Sequence, residues 1–488
     1  MIELPVLVAL HKNIDRSEFY LNKVPLDDPA ILSNRFSGKL LLRNEIPIDD
    51  LTFQRLLNQQ QFFAQPSIIK KLGSIQCLRC NNQKRSLFGM LPCQNCSKPH
   101  FYCRKCIEMG RVLECEPLYS WSGPEPDWLH HAQPCSWDGV LTERQKLASE
   151  RIASAVTNQE SELLVWAVCG AGKTEMLYEG ITNALKLGKR ICLATPRADV
   201  VRELLPRFSQ AFSSVPIQGL YGGSKENDGT AQLILATTHQ LLRFQKAFDM
   251  MIIDEVDAFP FHADASLPYA TNRAKNDKSS TIYLTATPRK DHRKQISRKS
   301  LPHIFVPVRF HGHPLPVPTM KMCFTLRKSL QNYSPPASFF TWLKNRNTPS
   351  RQLLIFVPTI NLATKMKNNL EDKLVATGNI KSKQELITVH ASDENREEKV
   401  IQFRNKEISV LITTTILERG VTFPSVDVAV IDAGHEVFDE AALVQISGRA
   451  GRSYDDPNGE VVFFHDGKTN AMVEAIQSIK SMNKRGGF

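Results

Sequence analysis

The segment LLVWAVCGAGKTEMLYEGI, from Leu163 to Ile181, leaves the chain few choices of fold. An apolar, strand-like run passes through a glycine-rich turn directly into an amphipathic stretch, the order of a strand–loop–helix crossover. The same rhythm recurs downstream. Short apolar runs at Leu163–Val168, Arg190–Ala194, Leu233–Ala236, Met251–Ile253 and Thr281–Leu284 alternate with helical stretches, and a second series follows at Leu353–Val357, Val410–Thr413, Val426–Ile431 and Val461–Phe464. Such alternation predicts an α/β protein with two tandem domains, each a parallel sheet covered by helices.

The 488 residues exceed what one hydrophobic core supports, so about two to four domains are expected. We divide the chain into an unassigned region over 1–69, a cysteine-rich module over 70–138, and α/β domains over 139–308 and 309–488, with the last boundary near Arg309. From Arg289 to His313 a basic run, RKDHRKQISRK, and a proline-rich one, HGHPLPVP, read as an exposed connection. The 61 Lys and Arg against 50 Asp and Glu give a net charge of +11, which favours a polyanionic partner. No apolar run is long enough to cross a bilayer, and the opening MIELPVLVALHKN lacks a basic lead and a small-residue cleavage site, so a cytoplasmic location is expected.

Gly170, Ala171, Gly172, Lys173 and Thr174 form the turn after the first strand. Glycines there let backbone amides face phosphate oxygens at a helix N-terminus. In this phosphate-binding loop Lys173 is expected to reach the β and γ phosphates of ATP and Thr174 to ligate Mg2+, although Ala167 stands where the first glycine usually does. Further on, MMIIDEVD puts Asp254 and Glu255 at the end of a buried apolar strand, where carboxylates need a reason to be. Asp254 is expected to hold the hydrated Mg2+, and Glu255 to orient and deprotonate the attacking water.

Six of the eleven cysteines fall in three Cys-x-x-Cys pairs: Cys77 and Cys80, Cys93 and Cys96, Cys103 and Cys106. In a cytosolic chain this clustering reads as metal ligation rather than disulfides. Two pairs complete one tetrahedral Zn2+ site, so six thiolates overshoot it. Cys77, Cys80, Cys103 and Cys106 are favoured for the principal ion, with Cys93 and Cys96 left to recruit Cys115 or Cys135 around a second. Iron–sulfur clusters usually draw on other spacings, which leaves zinc preferred. Trp121, Trp128 and Trp137 follow the pairs and are expected to pack on the metal module, with base stacking as the alternative.

Taken in order, the motifs from Leu141 to Ser453 resemble those of superfamily 2 helicases, whose two motor domains are RecA-like. LTERQ places Gln145 where that family reads adenine. ATPR, with Pro196 and Arg197, and TTHQLL, with Thr238, resemble backbone contacts to nucleic acid. DEVD departs from the best-known spellings at its third and fourth positions. LTATP carries Thr285 and Thr287, which the resemblance assigns to coupling hydrolysis with domain movement. TTTILERGVTFP, with Thr415 and Arg419, resembles a motif touching both nucleotide and nucleic acid. QISGRAGR ends in Arg449 and Arg452, which by resemblance reach across to the γ phosphate. An arginine delivered only on domain closure is typically worth ~10³ to 10⁵ in rate.

The cysteine pairs placed before such a motor, with FYCRKCIEMGRV and the LTERQ start, resemble the ComFA family of competence ATPases. That resemblance implies single-stranded DNA as ligand, action at the cytoplasmic face of the membrane near a DNA channel, and a phosphoribosyltransferase-like competence protein, ComFC, as partner. A homo-oligomer stays open. The alternatives are a replication-restart helicase similar to PriA, in which the cysteines lie between or within the motor halves, and a zinc-binding scaffold with a degenerate ATPase. Among basic stretches, Arg289, Lys290, Arg293, Lys294, Arg298 and Lys299 are a candidate phosphate track, against the plainer reading of a solvated face.

Overall fold

A computed structural model describes residues 28–93, 96–224 and 228–488. The expectation about the opening apolar stretch lies outside the described residues. The chain forms two compact units, one of the described residues up to Asp127 with Arg243–Gln245, the other of Trp128–Leu242 and Lys246–Phe488.

In the first unit, helices α1 (Pro29–Phe36) and α2 (Asp50–Asn58) begin at aspartate caps. Asp28 accepts from the Ala30 amide and Asp49 from the Thr52 amide, each at 2.9 Å. They share a core with a three-stranded antiparallel sheet, β1 (Leu40–Leu41), β8 (Leu118–Trp121) and β2 (Phe62–Gln65). That sheet spans the expected division between residues 69 and 70. Phe36, Phe53 and Phe62 meet Tyr119 and Trp121 in it, with ring centroids 5.0 to 6.3 Å apart. Between β2 and β8 lie a hairpin, β3 (Ile68–Lys71) with β4 (Ser74–Cys77), and a small antiparallel sheet of β5 (Phe88–Pro92), β6 (Pro99–Cys103) and β7 (Val112–Leu113).

The second unit holds two parallel sheets. The first has β9 (Glu162–Ala167), β10 (Ile191–Thr195), β11 (Ile217–Leu220), β12 (Leu233–Thr237), β13 (Phe248–Ile253), β14 (Lys275–Thr285) and β15 (His303–Val306), ordered β11-β12-β10-β13-β14-β9-β15. The other has β16 (Thr319–Met322), β17 (Gln352–Phe356), β18 (Leu386–Val389), β19 (Val410–Thr413), β20 (Val426–Ile431) and β21 (Val461–His465), ordered β16-β21-β20-β17-β19-β18. Helices on both faces exclude water, so β10, β12, β17, β19, β20 and β21 are buried along their whole length, as parallel strands require. The sequence motifs follow the carboxyl ends of β9, β10, β12, β13 and β14, and therefore gather along one edge of one sheet.

The structure differs from two expectations. The basic run is no connection: Lys290–Ser297 forms helix α7, and His303–Val306 beyond it becomes an edge strand beside β9. Its run of charges did not reveal that a helix and a strand were encoded there. The tryptophans also avoid the metal module. Trp121 joins the aromatic core with Phe36 and Phe62, Trp128 stacks under Arg190 at 4.7 Å, and Trp137 meets Tyr178 edge-on at 5.5 Å. All three rings are half-buried, packed where other aromatic or cationic side chains offer surface, and a small cysteine module offers little.

Candidate functional site: a cleft between two parallel sheets

After β9 the chain turns through Gly170 and Gly172, whose φ angles of +81° and +69° a side chain would strain. A Cβ on Gly172 would stand 2.3 Å from Gln145 Nε2. Gln145 sits in the first turn of helix α3 (Glu143–Thr157). Its Oε1 accepts from the Thr142 amide at 2.8 Å, completing a capping box, and its Nε2 donates to the Ala171 carbonyl at 2.9 Å. Lys173 Nζ lies 3.7 Å from Asp254 Oδ1 at the end of β13. Burial works to lower the Lys173 pKa, and the charges of Asp254 and Glu255 more than reverse it. Burial likewise raises Asp254 against the pull of Lys173.

Glu255 adopts φ +51°, uncommon for a residue with a side chain, and only 8% of its surface is exposed. Its Oε2 has no hydrogen-bond partner among the described residues. Two residues on, Asp257 is a hub that sequence reasoning recorded only as an odd spelling. Thr285 and Thr287 each donate a hydroxyl hydrogen bond to its carboxylate at 2.5 Å, Arg419 Nη2 donates at 2.6 Å, and Arg289 Nη2 donates to its carbonyl at 2.8 Å. Burial opposes the charged form of Asp257, but Arg419 holds its carboxyl well below the usual range. The fourth-position acid was the one local signal; its partner 162 residues away was not legible.

From the other sheet, helix α12 (Glu440–Ser447) leads into Arg449 and Arg452. Arg449 is buried, its Nε donating to the Glu418 carbonyl at 3.1 Å while Nη1 lacks a partner among the described residues. Burial, and then the charge of Arg452, depress it well below the ordinary arginine range. Buried Arg309, lowered to about 9 by burial and by Arg452, donates to the carbonyls of Ala450 at 2.9 Å and of Gly451, holding the loop that carries Arg452. Gln145, Gly170 to Thr174, Asp254, Glu255, Arg419, Arg449 and Arg452 all line one cleft of about 500 Å3. The unpartnered atoms Glu255 Oε2, Arg419 Nη1 and Arg449 Nη1 belong to its walls. A buried acceptor beside buried cationic donors suits a phosphate chain with its water and cation.

The proposed nucleic-acid contacts are placed less uniformly. Arg197 Nη1 donates to the carbonyls of Ile416 at 3.1 Å and Arg419 at 3.4 Å, so it clasps the opposite domain's loop. Pro196 and Thr238 are buried, the Thr238 hydroxyl unpartnered among the described residues, and Thr415 is half-buried at the start of a turn. Arg289 and Arg293 are likewise committed, Arg293 to Glu440 at 2.6 Å, whereas Lys290, Lys294, Arg298 and Lys299 are exposed.

In the first unit Cys77, Cys80, Cys103 and Cys106 are buried, their sulfurs all within 4.8 Å of one another. Cys77 and Cys106 are 3.8 Å apart, Cys80 and Cys103 3.5 Å. A tetrahedron with metal–sulfur bonds of about 2.3 Å has edges of about 3.8 Å, so the set fits zinc. Asn82 Nδ2 donates to Cys103 Sγ at 3.7 Å, and buried Arg79 braces the module with a two-pronged pair to Glu45 at 2.8 and 2.9 Å. Cys135 belongs to the second unit, where it packs against the motor core. No helix among the described residues is long and apolar enough to cross a membrane.

Two parallel-sheet domains around such a cleft define an ATP-hydrolysing helicase of superfamily 2. The second unit matches the type III restriction enzyme res subunit over residues 138–290 and the helicase conserved C-terminal domain over 338–454. Its fold is shared with S. cerevisiae Dbp5 bound to RNA and ADP BeF3 (TM-score 0.50, 18% identity, 70% of this chain and 87% of that one). It is also shared with Mycobacterium smegmatis Lhr bound to ssDNA and AMP-PNP (TM-score 0.50, 16% identity, 72% and 51%). Residues 26–120 match the competence protein ComFA N-terminal domain. Competence protein ComFA of Bacillus subtilis is 40% identical over 94% of this chain and 98% of its own length, and that of Streptococcus pneumoniae 36% identical over 93% and 99%. The chain belongs to the ComFA family and is a competence-associated helicase-type ATPase.

Proposed function

We propose that the chain is a single-stranded DNA translocase that uses ATP to assist import of transforming DNA during competence. The observation that carries this is the common cleft, in which Lys173 and Asp254 from one sheet face Arg449 and Arg452 from the other. In this reading the amides of Gly170, Ala171 and Gly172, with Lys173, bind the phosphates, and Gln145 swings from the Ala171 carbonyl to read adenine. Thr174 and Asp254 hold Mg2+, which when bound neutralises charge on the phosphates. Glu255 Oε2, free of internal bonds among the described residues, takes the proton of the attacking water. Arg449 and Arg452 stabilise charge on the transferring phosphoryl group, and Asp257 with Thr285, Thr287 and Arg419 reports that event across the cleft.

The organisation we propose is an N-terminal region and zinc module ahead of an ATP-binding domain that ends near residue 308, with a C-terminal motor domain beyond it. Single-stranded DNA would bind across both motor domains, favour the closed state and so stimulate turnover. Family membership and the +11 charge support that ligand. The same membership supports ComFC and a membrane DNA channel as partners, and a cytoplasmic location. The test is ATP hydrolysis with single-stranded DNA, duplex DNA and RNA at several salt concentrations. Single-stranded DNA should stimulate most, with Lys173→Ala and Glu255→Gln each losing ~10²-fold or more of the stimulated rate; stimulation by RNA alone would sink the reading.

A further inference from the structure

The basic helix α7 lines no part of the ATP cleft. It borders a second groove, of about 250 Å3, to which both motor halves contribute. Trp166 of β9 and Arg293 of α7 line it from one half, and Gln477, Ser478, Ser481 and Arg485 of helix α13 (Asn470–Arg485) from the other. The half-buried Trp166 ring meets Phe305 at 5.2 Å, and its Nε1 donates to the Ala286 carbonyl at 3.0 Å. Arg485 lies over Phe305 at 4.2 Å.

Around these rings the exposed charge is mainly cationic. Lys290, Lys294, Arg298 and Lys299 lie on and just after α7, and Lys484 and Arg485 end α13, against the carboxylates of Asp291 and Glu474. An aromatic face for a base, hydroxyl and amide groups in the wall, and a basic rim are the parts of a single-strand site. A membrane surface calls for protruding apolar side chains, whereas Trp166 is recessed between two helices. The groove is also set apart from the residues that resemble nucleic-acid contacts. Pro196, Arg197 and Thr238 follow β10 and β12, and β9 stands three strands from β10, about 14 Å across the sheet.

We propose that this groove is a second binding surface for single-stranded DNA, with a base stacked on Trp166 and phosphates on the cations of α7 and α13; the proposal rests on the translocase reading. A strand held there touches both motor halves and two parts already tied to the ATP cleft. Ala286, which accepts from Trp166, lies between Thr285 and Thr287, and Arg293 pairs with Glu440 at the start of the helix that leads to Arg449 and Arg452.

Full-length protein is titrated with fluorescent oligothymidylate by anisotropy, and a bromodeoxyuridine-substituted oligomer is photocross-linked and mapped. Ser481 is exposed, so Ser481→Glu puts a negative charge in the groove without disturbing the core, while Lys480→Glu makes a larger charge change on the same helix outside it. Weakening of at least about 5-fold is expected for Ser481→Glu and for Trp166→Ala, with recovery in Trp166→Phe, under about 2-fold for Lys480→Glu, and cross-links at Trp166. Ser481→Glu binding as tightly as Lys480→Glu overturns the groove, even where Trp166→Ala fails to fold. Vesicles of anionic lipid that bind wild type and lose Ser481→Glu, with DNA affinity unchanged, overturn it in favour of a membrane contact. Wild-type ATPase that single-stranded DNA does not stimulate undoes the translocase reading and this one with it; normal stimulation with Ser481→Glu at wild-type affinity removes the groove alone.

Discussion

At the scale of single residues, Asp257 ties the phosphate-binding half to the other half of the motor. It is fully buried, as is nearly all of Arg419, at 0% and 2% side-chain exposure. Removing one member of such a pair leaves an uncompensated charge, so Asp257→Ala should cost about 3 to 5 kcal/mol of stability in denaturant unfolding. The pair also fixes a pH dependence. Because the folded carboxyl is held below its ordinary 3.8, its stabilisation is present above that value and is lost as pH falls further. Unfolding midpoints measured down through this acid range should fall in wild type, and Asp257→Asn should remove that part of the fall. That Lys173, Asp254 and Glu255 would meet in one cleft was readable because each sits in a short motif at the end of a buried strand. That Asp257 outranks its spelling was not readable, since its partners come from three separate strand ends and loops.

At the scale of elements, the inner strands of both parallel sheets were legible because burial on two faces demands continuous apolar runs, whereas the edge strands β11, β15, β16 and β18, only partly buried, were not. Helix α7 was not, because its buried-residue signal is nil and its charge dominated the reading. The antiparallel sheet of the first unit escaped for another reason: strands of 2 and 4 residues carry too little pattern, and β8 pairs with strands some fifty residues or more away. The cysteine module makes its own prediction. Structural zinc contributes folding energy of about 10 to 16 kcal/mol in small domains, far beyond what short hairpins supply. Chelation should therefore collapse amide-exchange protection in β3 through β7 while β9, β10, β13 and β14 keep theirs; unchanged protection in β3 through β7 would show that the thiolates are not structural ligands.

At the scale of the whole molecule, the two halves of the motor are latched by ion pairs across the cleft. Arg396 grips Asp199 at 2.6 and 2.7 Å, Arg202 reaches Glu397 at 2.8 Å, and Arg293 reaches Glu440 at 2.6 Å. These pairs are partly exposed, so each is worth at most about 1 kcal/mol. Arg396→Ala should therefore shift the closing equilibrium modestly, raising the DNA concentration for half-maximal ATPase stimulation about 2- to 5-fold, with the effect shrinking as salt rises. An unchanged stimulation curve at low salt would mean that the latch does not govern closure.

The parallel α/β architecture, the phosphate-binding loop, the paired acids and the gathering of Cys77, Cys80, Cys103 and Cys106 were legible in the chain alone, because each is encoded within short windows by residue chemistry and period. Which arginine meets which acid, that Arg197 clasps a loop of the opposite domain, and that His100 stands beside Cys96 became visible in the folded chain. Those contacts depend on how sheets, helices and hairpins pack, and packing distances are set by the summed volumes of many side chains rather than by any one stretch of chain.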